Sequence, residues 1–322
     1  MNTTFQEIRH AFRMLARSPG FTSVAALSLA LGIGVNAAIF SLHDALLWRP
    51  LPVRDPGSVV TLNADTPQDR SFFGGRFSYA NYRDLRAGSR SFDGLVAYER
   101  ATVSFARSRQ AARDMRMGML VSDNFFDVLD IRPMLGRRLT QQEGQVPGRD
   151  AVVVLGYDFW RNTLGEDRSI VGGEAIINGI TFTVVGVAPE SLTGMDVYIR
   201  PAFYVPIMMS ERLNARAGQG GGDAAPVSRL EDRTARAFAV KGRLKSGVSQ
   251  QTAQAEATTL WNGLVQQYPD ANRNRTMLVR SELQERIRAE PANATLVIMM
   301  TGLVALVLII ACANVANLLL AR

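Results

Sequence analysis

The stretch FTSVAALSLALGIGVNAAIFSL, residues 21–42, contains no Asp, Glu, Lys, Arg or His. A second charge-free stretch, residues 291–321, has TLVIMMTGLVALVLIIACANVANLLL as its most apolar part. A helix needs about 20 apolar residues to cross the ~30 Å hydrocarbon core of a bilayer. The sequence therefore predicts transmembrane helices at residues 21–43 and 291–322, with residues 44–290 of mixed polarity between them.

The first stretch has an alternative interpretation as a cleaved signal peptide. The apolar part of a signal peptide runs for about 7–15 residues and ends in an A-x-A-like cleavage site. The stretch at residues 21–42 is longer and has no such site at its end. We therefore expect an uncleaved membrane anchor.

Residues 1–20 predict a basic amphipathic helix. Apolar residues recur there at spacings of three and four, and Arg9, Arg13 and Arg17 follow one another at intervals of four. A basic amphipathic helix binds an anionic membrane surface, so we expect the three arginines at the lipid surface and the N-terminus in the cytoplasm. The alternative is a helix packed on a soluble domain, because interfacial and core helices share this periodicity.

The composition argues against several classes of function. The 36 Lys and Arg residues and 29 Asp and Glu residues give a net charge of +7, which is too dispersed for a nucleic-acid-binding surface. The two histidines, His10 and His43, and the single cysteine, Cys312, cannot form a His- or Cys-rich metal site. The motifs of P-loop proteins, zinc proteases and α/β-hydrolases are absent. We therefore expect no catalytic residue, bound metal, cofactor or nucleic-acid partner in this chain.

One motif resembles a dinucleotide-binding turn. GIGVNA, residues 32–37, fits the pattern G-x-G-x-x-A. A dinucleotide-binding turn connects a strand to a helix within a repeating βα pattern, whereas these glycines lie inside a charge-free stretch. Small residues in a membrane helix let another helix approach closely. We therefore predict that Gly32 and Gly34 pack against another helix.

Polar residues at two further places have competing interpretations. Asn314 and Asn317 are one helical turn apart in the second stretch, and we predict that they pack against another helix through amide hydrogen bonds. A transport pathway is the alternative. Asp123, Asp127 and Asp130 can be aligned as an acid–base set, but the solvated face and ends of a short helix explain them more simply.

The region between the two stretches predicts a mixture of helices and strands. Asn178-Gly179 lies between two β-rich runs, which is the strongest short signal for a β-hairpin. Ser249 is placed to cap a long helix, and the glycine-rich residues 217–228 predict a subdomain boundary or a long surface loop. The strand-like runs are residues 58–62, 151–155, 180–187 and 237–244, and the helix-like runs are residues 79–86, 123–129, 157–164 and 249–268.

Seven segments, taken in order, resemble the MacB-like and FtsX-like permease subunits of ABC transporters, especially the MacB-family permeases of the acidobacterial type. No single segment is specific, but together they extend over nearly the whole chain in the family's order. They are LGIGVNAAIFSLHDALLWRPLP (31–52), FSYANYRDLRAGSRSFDGLVAY (77–98), VSDNFFDVLDIRPMLGRRL (121–139), VVVLGYDFWRNTLGED (152–167), INGITFTVVGVAP (177–189), GRLKSGVSQQTAQAE (242–256) and IIACANVANLLLAR (309–322).

The resemblance implies an α+β periplasmic domain of two subdomains, with mixed sheets and helices. Two transmembrane helices flank this domain, and an amphipathic interfacial helix precedes them. The implied segments are the interfacial helix at 1–20, the transmembrane helices at 21–43 and 291–322, the periplasmic core domain at 44–290, its membrane-proximal subdomain at 59–120 plus 229–288, and its inserted subdomain at 121–228.

The same resemblance implies a non-catalytic permease subunit in the bacterial inner membrane. A partner ABC ATPase would bind and hydrolyse ATP in the cytoplasm. The permease, as a homodimer or pseudo-dimer, would transmit the motion to its periplasmic domain for efflux, lipoprotein release or control of a periplasmic partner. Relatives continue past the second helix, so we expect the chain to be the front part of a longer permease. The alternative is a two-helix membrane-anchored sensor or scaffold without ATP coupling.

Overall fold

The structure is a computed structural model that describes residues 19–43, 50–66, 75–107, 112, 114–195, 200–216, 228–289 and 291–320. The chain forms two compact units. The first consists of residues 1–49 and 290–322, and the second consists of residues 50–289. Both charge-free stretches belong to the first unit.

Nine α-helices lie within the described residues. They are α1 (Pro19–His43), α2 (Tyr79–Gly88), α3 (Phe125–Val128), α4 (Tyr157–Leu164), α5 (Ser210–Arg216), α6 (Gln250–Gln267), α7 (Pro269–Asn272), α8 (Glu282–Ala289) and α9 (Pro291–Leu320).

Helices α1 and α9 form the described part of the first unit and contact each other. Each begins at a proline, whose fixed φ angle suits the first turn of a helix. Both charge-free stretches are helical over their described residues. Counted over the described residues, however, no helix is both long and apolar enough to cross a membrane.

All the strands within the described ranges lie in the second unit. They are β1 (Val59–Asp65), β2 (Phe92–Ala106), β3 (Asp114–Val121), β4 (Leu135–Gly136), β5 (Val152–Leu155), β6 (Glu174–Ile177), β7 (Ile180–Val187), β8 (Phe203–Pro206), β9 (Ala239–Leu244) and β10 (Thr276–Ser281).

These strands form one mixed sheet in the order β10-β1-β9-β2-β3-β8-β5-β7-β4, and β6 pairs with β2 and β7. The pairs β3–β8 and β5–β7 are parallel. One half of the sheet is built from residues 59–121 and 239–281, and the other half is built from residues 135–206. The predicted mixed α+β fold is confirmed for this unit.

Local signals in the sequence account for several of these elements. Asn178 and Gly179 have φ angles of 48° and 71°, as a two-residue hairpin turn requires, and the hairpin pairs β6 with β7. The Ser249 side chain accepts a hydrogen bond from the Thr252 backbone nitrogen at 3.1 Å and caps α6. All four predicted strands are present. The predicted hairpin and helix cap are confirmed.

Both faces of the sheet are covered. Successive residues of a strand face opposite sides, and each side has its own cluster of buried residues. Tyr82 of α2 and Trp261 of α6 belong to the cluster on one side. Phe125 and Phe126 of α3 belong to the cluster on the other side. A sheet buried on both faces favours continuous apolar strands such as VVVL in β5.

Candidate functional site

Charged side chains cluster between α8 and three neighbouring strands of the sheet. Helix α8 follows β10 directly, and only residue 290 separates it from α9. We call this cluster the junction network. Its members are Asp65 on β1, Lys241 on β9, Arg280 on β10, and Glu282, Glu285, Arg286 and Arg288 on α8.

The sequence of α8 favours a helix at this place. Glu282 and Glu285 lie in its first turn, and Arg286 and Arg288 lie in its last turn. Acidic groups near the N-terminus and basic groups near the C-terminus both stabilise a helix through its dipole. Glu282 pairs with Arg286 at i,i+4, and Glu285 pairs with Arg288 at i,i+3, which adds to this local stability.

Lys241 is the most buried charge of the junction network, with 3% of its side chain exposed. Its Nζ donates to Glu282 Oε2 at 2.7 Å and to Thr61 Oγ1 at 2.9 Å. Burial by itself favours the neutral amine, but the carboxylate of Glu282 outweighs it and raises the pKa of Lys241 above its ordinary value. Burial likewise opposes ionisation of Glu282, yet Lys241 and Arg286 lower the pKa of that carboxyl. Both groups are therefore charged near neutral pH.

The other half of the junction network joins β1 and β10 to α8. Arg280 Nη2 donates to Asp65 Oδ2 at 2.6 Å, and Arg280 Nη1 lies 3.7 Å from Glu285 Oε2. Asn63 Nδ2 donates to the same Glu285 oxygen at 2.6 Å. Arg288 pairs with both Glu285 and Asp65. Each carboxylate therefore has more than one cationic partner.

Ion pairs thus attach α8 to the sheet. Buried ion pairs are directional, and breaking one by removing a partner costs about 3–5 kcal/mol because a charge is left uncompensated. The sequence analysis missed this cluster. The only local signal was the charge-rich run ELQERIRA, which ends one residue before the second charge-free stretch begins.

Two further ion pairs lie close to the places where the chain passes between the two halves of the sheet. At the first, after β3, Arg86 donates to both carboxylate oxygens of Asp123 at 2.6 and 3.3 Å. At the second, before β9, Arg229 Nη2 donates to Glu99 Oε1 at 2.6 Å. Burial raises the pKa of Glu99, and Arg229 opposes that rise. Arg86 lies on α2 and Glu99 lies on β2. Each ion pair therefore ties one connection to the half of the sheet that contains β2.

The three aspartates that the sequence aligned as an acid–base set each pair with an arginine instead. Asp127 pairs with Arg138, and Asp130 pairs with Arg54. The bond from Arg54 lowers the pKa of Asp130. Asp123, in contrast, is buried, so the interpretation of all three as solvated is wrong for Asp123. Within the described residues, no three His, Cys, Asp or Glu side chains are grouped to hold a metal ion.

The residues predicted for helix packing and membrane binding are placed as follows. Gly32 is buried, and Gly34 is exposed with no atom within 4 Å of a Cβ built on it. Asn314 and Asn317 lie in α9, and their side chains are outside the described part of the structure. Arg9, Arg13 and Arg17 also lie outside the described residues. Their roles stay predictions.

The architecture defines a class of protein: an α+β domain with a mixed sheet, continuous in sequence at both ends with an apolar helix. A family model described as "MacB-like periplasmic core domain" matches residues 22–260 of the chain. The chain therefore belongs to the MacB-like periplasmic core domain family. The resemblance to MacB-like ABC transporter permeases is confirmed. The match ends before β10 and α8.

Two transporter domains are among the solved structures that match the chain. One is the periplasmic region of MacB from Actinobacillus actinomycetemcomitans, with 14% identity, a TM-score of 0.49, and coverage of 72% of this chain and 91% of that chain. Another is the extracellular domain of the noncanonic ABC-type transporter YknZ from Gram-positive bacteria, with 14% identity, a TM-score of 0.47, and coverage of 69% of this chain and 98% of that chain. No curated protein matches the chain significantly.

Proposed function

We propose that this chain is a non-catalytic permease subunit of an ABC transporter. In this proposal a partner ATPase hydrolyses ATP in the cytoplasm, and the permease converts the resulting motion into movement of the domain formed by residues 50–289. Membership of the MacB-like family supports the proposal. The movement serves efflux, lipoprotein release or mechanical control of a periplasmic partner.

The proposed topology places the domain in the periplasm and the chain in the bacterial inner membrane. Helices α1 and α9 cross the bilayer in this topology, and residues 1–20 lie on its cytoplasmic surface. The support comes from sequence, because residues 21–42 and 291–321 contain no charged residue and about 20 apolar residues suffice for a crossing. The subunit works as a dimer with its ATPase.

The junction network is the observation that carries the coupling proposal. A permease that passes motion from α9 to the domain of residues 50–289 needs a rigid connection between them. Helix α8 supplies this connection, since it precedes α9 by one residue and its charges are paired to β1, β9 and β10. Its partners on the strands lie up to 222 residues away in sequence, so the connection reaches the sheet itself and not only a neighbouring loop.

Within the domain, we propose that residues 59–120 and 229–288 act as the membrane-proximal subdomain and residues 121–228 as the inserted one. The order of the strands supports this division, because the two sets occupy opposite halves of the sheet. The pairs Arg86–Asp123 and Glu99–Arg229 lie at the two connections. Arg86–Asp123 ties the start of the inserted part to the membrane-proximal part, and Glu99–Arg229, within the membrane-proximal part, fixes the residue that follows the end of the inserted part.

The test measures ATP hydrolysis by the cognate ATPase, reconstituted in lipid nanodiscs with and without the permease. We expect the permease to change the hydrolysis rate, and we expect Lys241→Met to reduce that change. Lys245→Met is the matched control, because Lys245 is exposed and directly follows the same strand, and it should act like the wild type. Tryptophan fluorescence at the assay temperature confirms that each variant is folded.

Two results would contradict the proposal. If the ATPase does not copurify with the permease and its rate is the same with and without it, the chain is a membrane-anchored sensor or scaffold instead. If a folded Lys241→Met variant supports the full rate change, the junction network does not transmit the motion.

A further inference from the structure

Helix α8 has the opposite polarity from an ordinary surface helix. An ordinary surface helix turns its apolar residues to the core and its charges to solvent. In α8 all four charged residues belong to the junction network, whereas Leu283 and Ile287 are 41% and 44% exposed. Among the side chains that the structure describes in α8, the exposed ones are Leu283, Gln284 and Ile287. The outer face of α8 therefore has no charge.

The polar group of Gln284 is also turned toward the protein. Its Oε1 accepts hydrogen bonds from Gln250 Nε2 at 3.0 Å and from the Ser281 backbone nitrogen at 2.9 Å. Leu283 and Ile287 are four residues apart and lie on the same side of the helix. Single exposed apolar side chains are common, but a helix with four charges that presents none of them outward needs a different explanation. An apolar or interfacial environment supplies one.

The position of α8 in the chain indicates lipid as that environment. Ile287 precedes Pro291 by four residues, so the chain between them spans at most about 14 Å in any conformation. Helices that lie in a membrane interface bury their apolar face by about 5–10 Å. Two side chains are too few for a second copy of the chain, because a stable protein interface needs about 800 Å² per partner.

We propose that the outer face of α8, formed by Leu283 and Ile287, inserts into the boundary between lipid headgroups and acyl chains. The proposal rests on the proposed function in one respect, the crossing of the membrane by α9. The junction network neutralises the charges of α8 within the protein, so the helix brings no charged group into the lipid. The contact fixes the height of the domain above the membrane at the place where α9 begins.

The test uses the full chain in nanodiscs of phosphatidylethanolamine and phosphatidylglycerol. Cys312→Ser removes the only native cysteine, and single cysteines at Leu283 or Ile287 carry an environment-sensitive NBD fluorophore. Val146→Cys is the matched control, because Val146 is also 41% exposed and lies in the same unit. We expect the labels at 283 and 287 to emit at shorter wavelength and to lose intensity when the lipid has a doxyl quencher near its headgroup. The label at 146 should show neither effect.

A label at Leu306→Cys, in the middle of α9, distinguishes the possible failures. If a doxyl group deep in the acyl chains quenches this label but the labels at 283 and 287 are not quenched, the α8 proposal is wrong and the proposed span stands. If the label at 306 is not quenched, α9 does not cross the membrane, and both the proposed topology and the α8 proposal are wrong. A shift at 283 and 287 that lacks lipid quenching and disappears in nanodiscs with one copy would assign the face to a second copy of the chain, which overturns the proposal.

Discussion

Replacing Lys241 by methionine should destabilise the domain by about 3 kcal/mol, the lower end of the range for removing one partner of a buried ion pair. Lys241 is 3% exposed and holds Glu282 and Thr61 through its ammonium group. Methionine has nearly the same length, so the substitution removes the charge without opening a large cavity. We expect the lower end of the range because Glu282 is 20% exposed and keeps its bond from Arg286.

The assay is urea denaturation of the full chain in detergent, followed by tryptophan fluorescence. Trp160 and Trp261 are both buried in the domain, so their emission reports its unfolding. We expect a lower midpoint with an unchanged slope, which indicates a change in stability rather than in the surface exposed on unfolding. Lys245→Met is the control for the chemistry of the substitution. Because Lys245 is exposed, its replacement should stay within about 0.5 kcal/mol of the wild type.

A double-mutant cycle with Glu282→Gln tests the pair directly. Residues in contact show interaction free energies of about 0.5–3 kcal/mol, and we expect the double variant to lose less than the sum of the two single losses. Equal destabilisation by Lys241→Met and Lys245→Met would refute the reasoning. Strict additivity of Lys241→Met and Glu282→Gln would show that the pair does not hold α8.

Three further predictions concern the same charges and one connection between the halves of the sheet. In the folded chain an amine-acylating reagent should modify Lys245 and spare the buried Lys241, which peptide mass spectrometry would detect; equal modification would contradict the burial of Lys241. The melting temperature should be highest between about pH 5 and pH 10. The lowered pKa of Glu282 means that its contribution is lost as the pH falls through that pKa, and the raised pKa of Lys241 means that its contribution is lost as the pH rises through its own. In the Lys241→Met variant the melting temperature should therefore fall less with rising pH on the alkaline side than in the wild type. The same fall in both proteins would contradict the stabilising role of the Lys241 charge. Asp123→Asn should cost about 1.5–3 kcal/mol, as expected for hydrogen bonds to a charged group, because Arg86 loses its charged acceptor; a loss under about 0.5 kcal/mol in urea denaturation would be that of an ordinary surface site.

Elements with local signals were predicted from the sequence. The turn at Asn178-Gly179 needs two residues that tolerate positive φ, and the cap at Ser249 needs a hydroxyl within reach of a backbone nitrogen three residues on. Both interactions are complete within a few residues. The hairpin and the start of α6 therefore lie where the sequence placed them.

Strands without local signals were missed. Strand β2, Phe92–Ala106, is the longest in the sheet, but it contains Glu99 and Arg100 and shows no regular alternation of apolar and polar residues. Its register depends on β9 and β3, and β9 is far away in sequence. Strand β10, Thr276–Ser281, was also missed, and it pairs with the distant β1. Pairing over such distances leaves no pattern within either strand.

The sequence by itself determined the two charge-free helices, the mixed α+β class, the hairpin and the family, because each depends on composition or on neighbouring residues. Only the tertiary structure decided that Lys241, one of two lysines in the chain, is buried. A lysine is ordinarily exposed, and its burial is tolerated here because Thr61, 180 residues away, and Glu282 both accept from its ammonium group. The junction network exists only where β1, β9, β10 and α8 meet, since a buried charge is stable only beside partners that folding brings together.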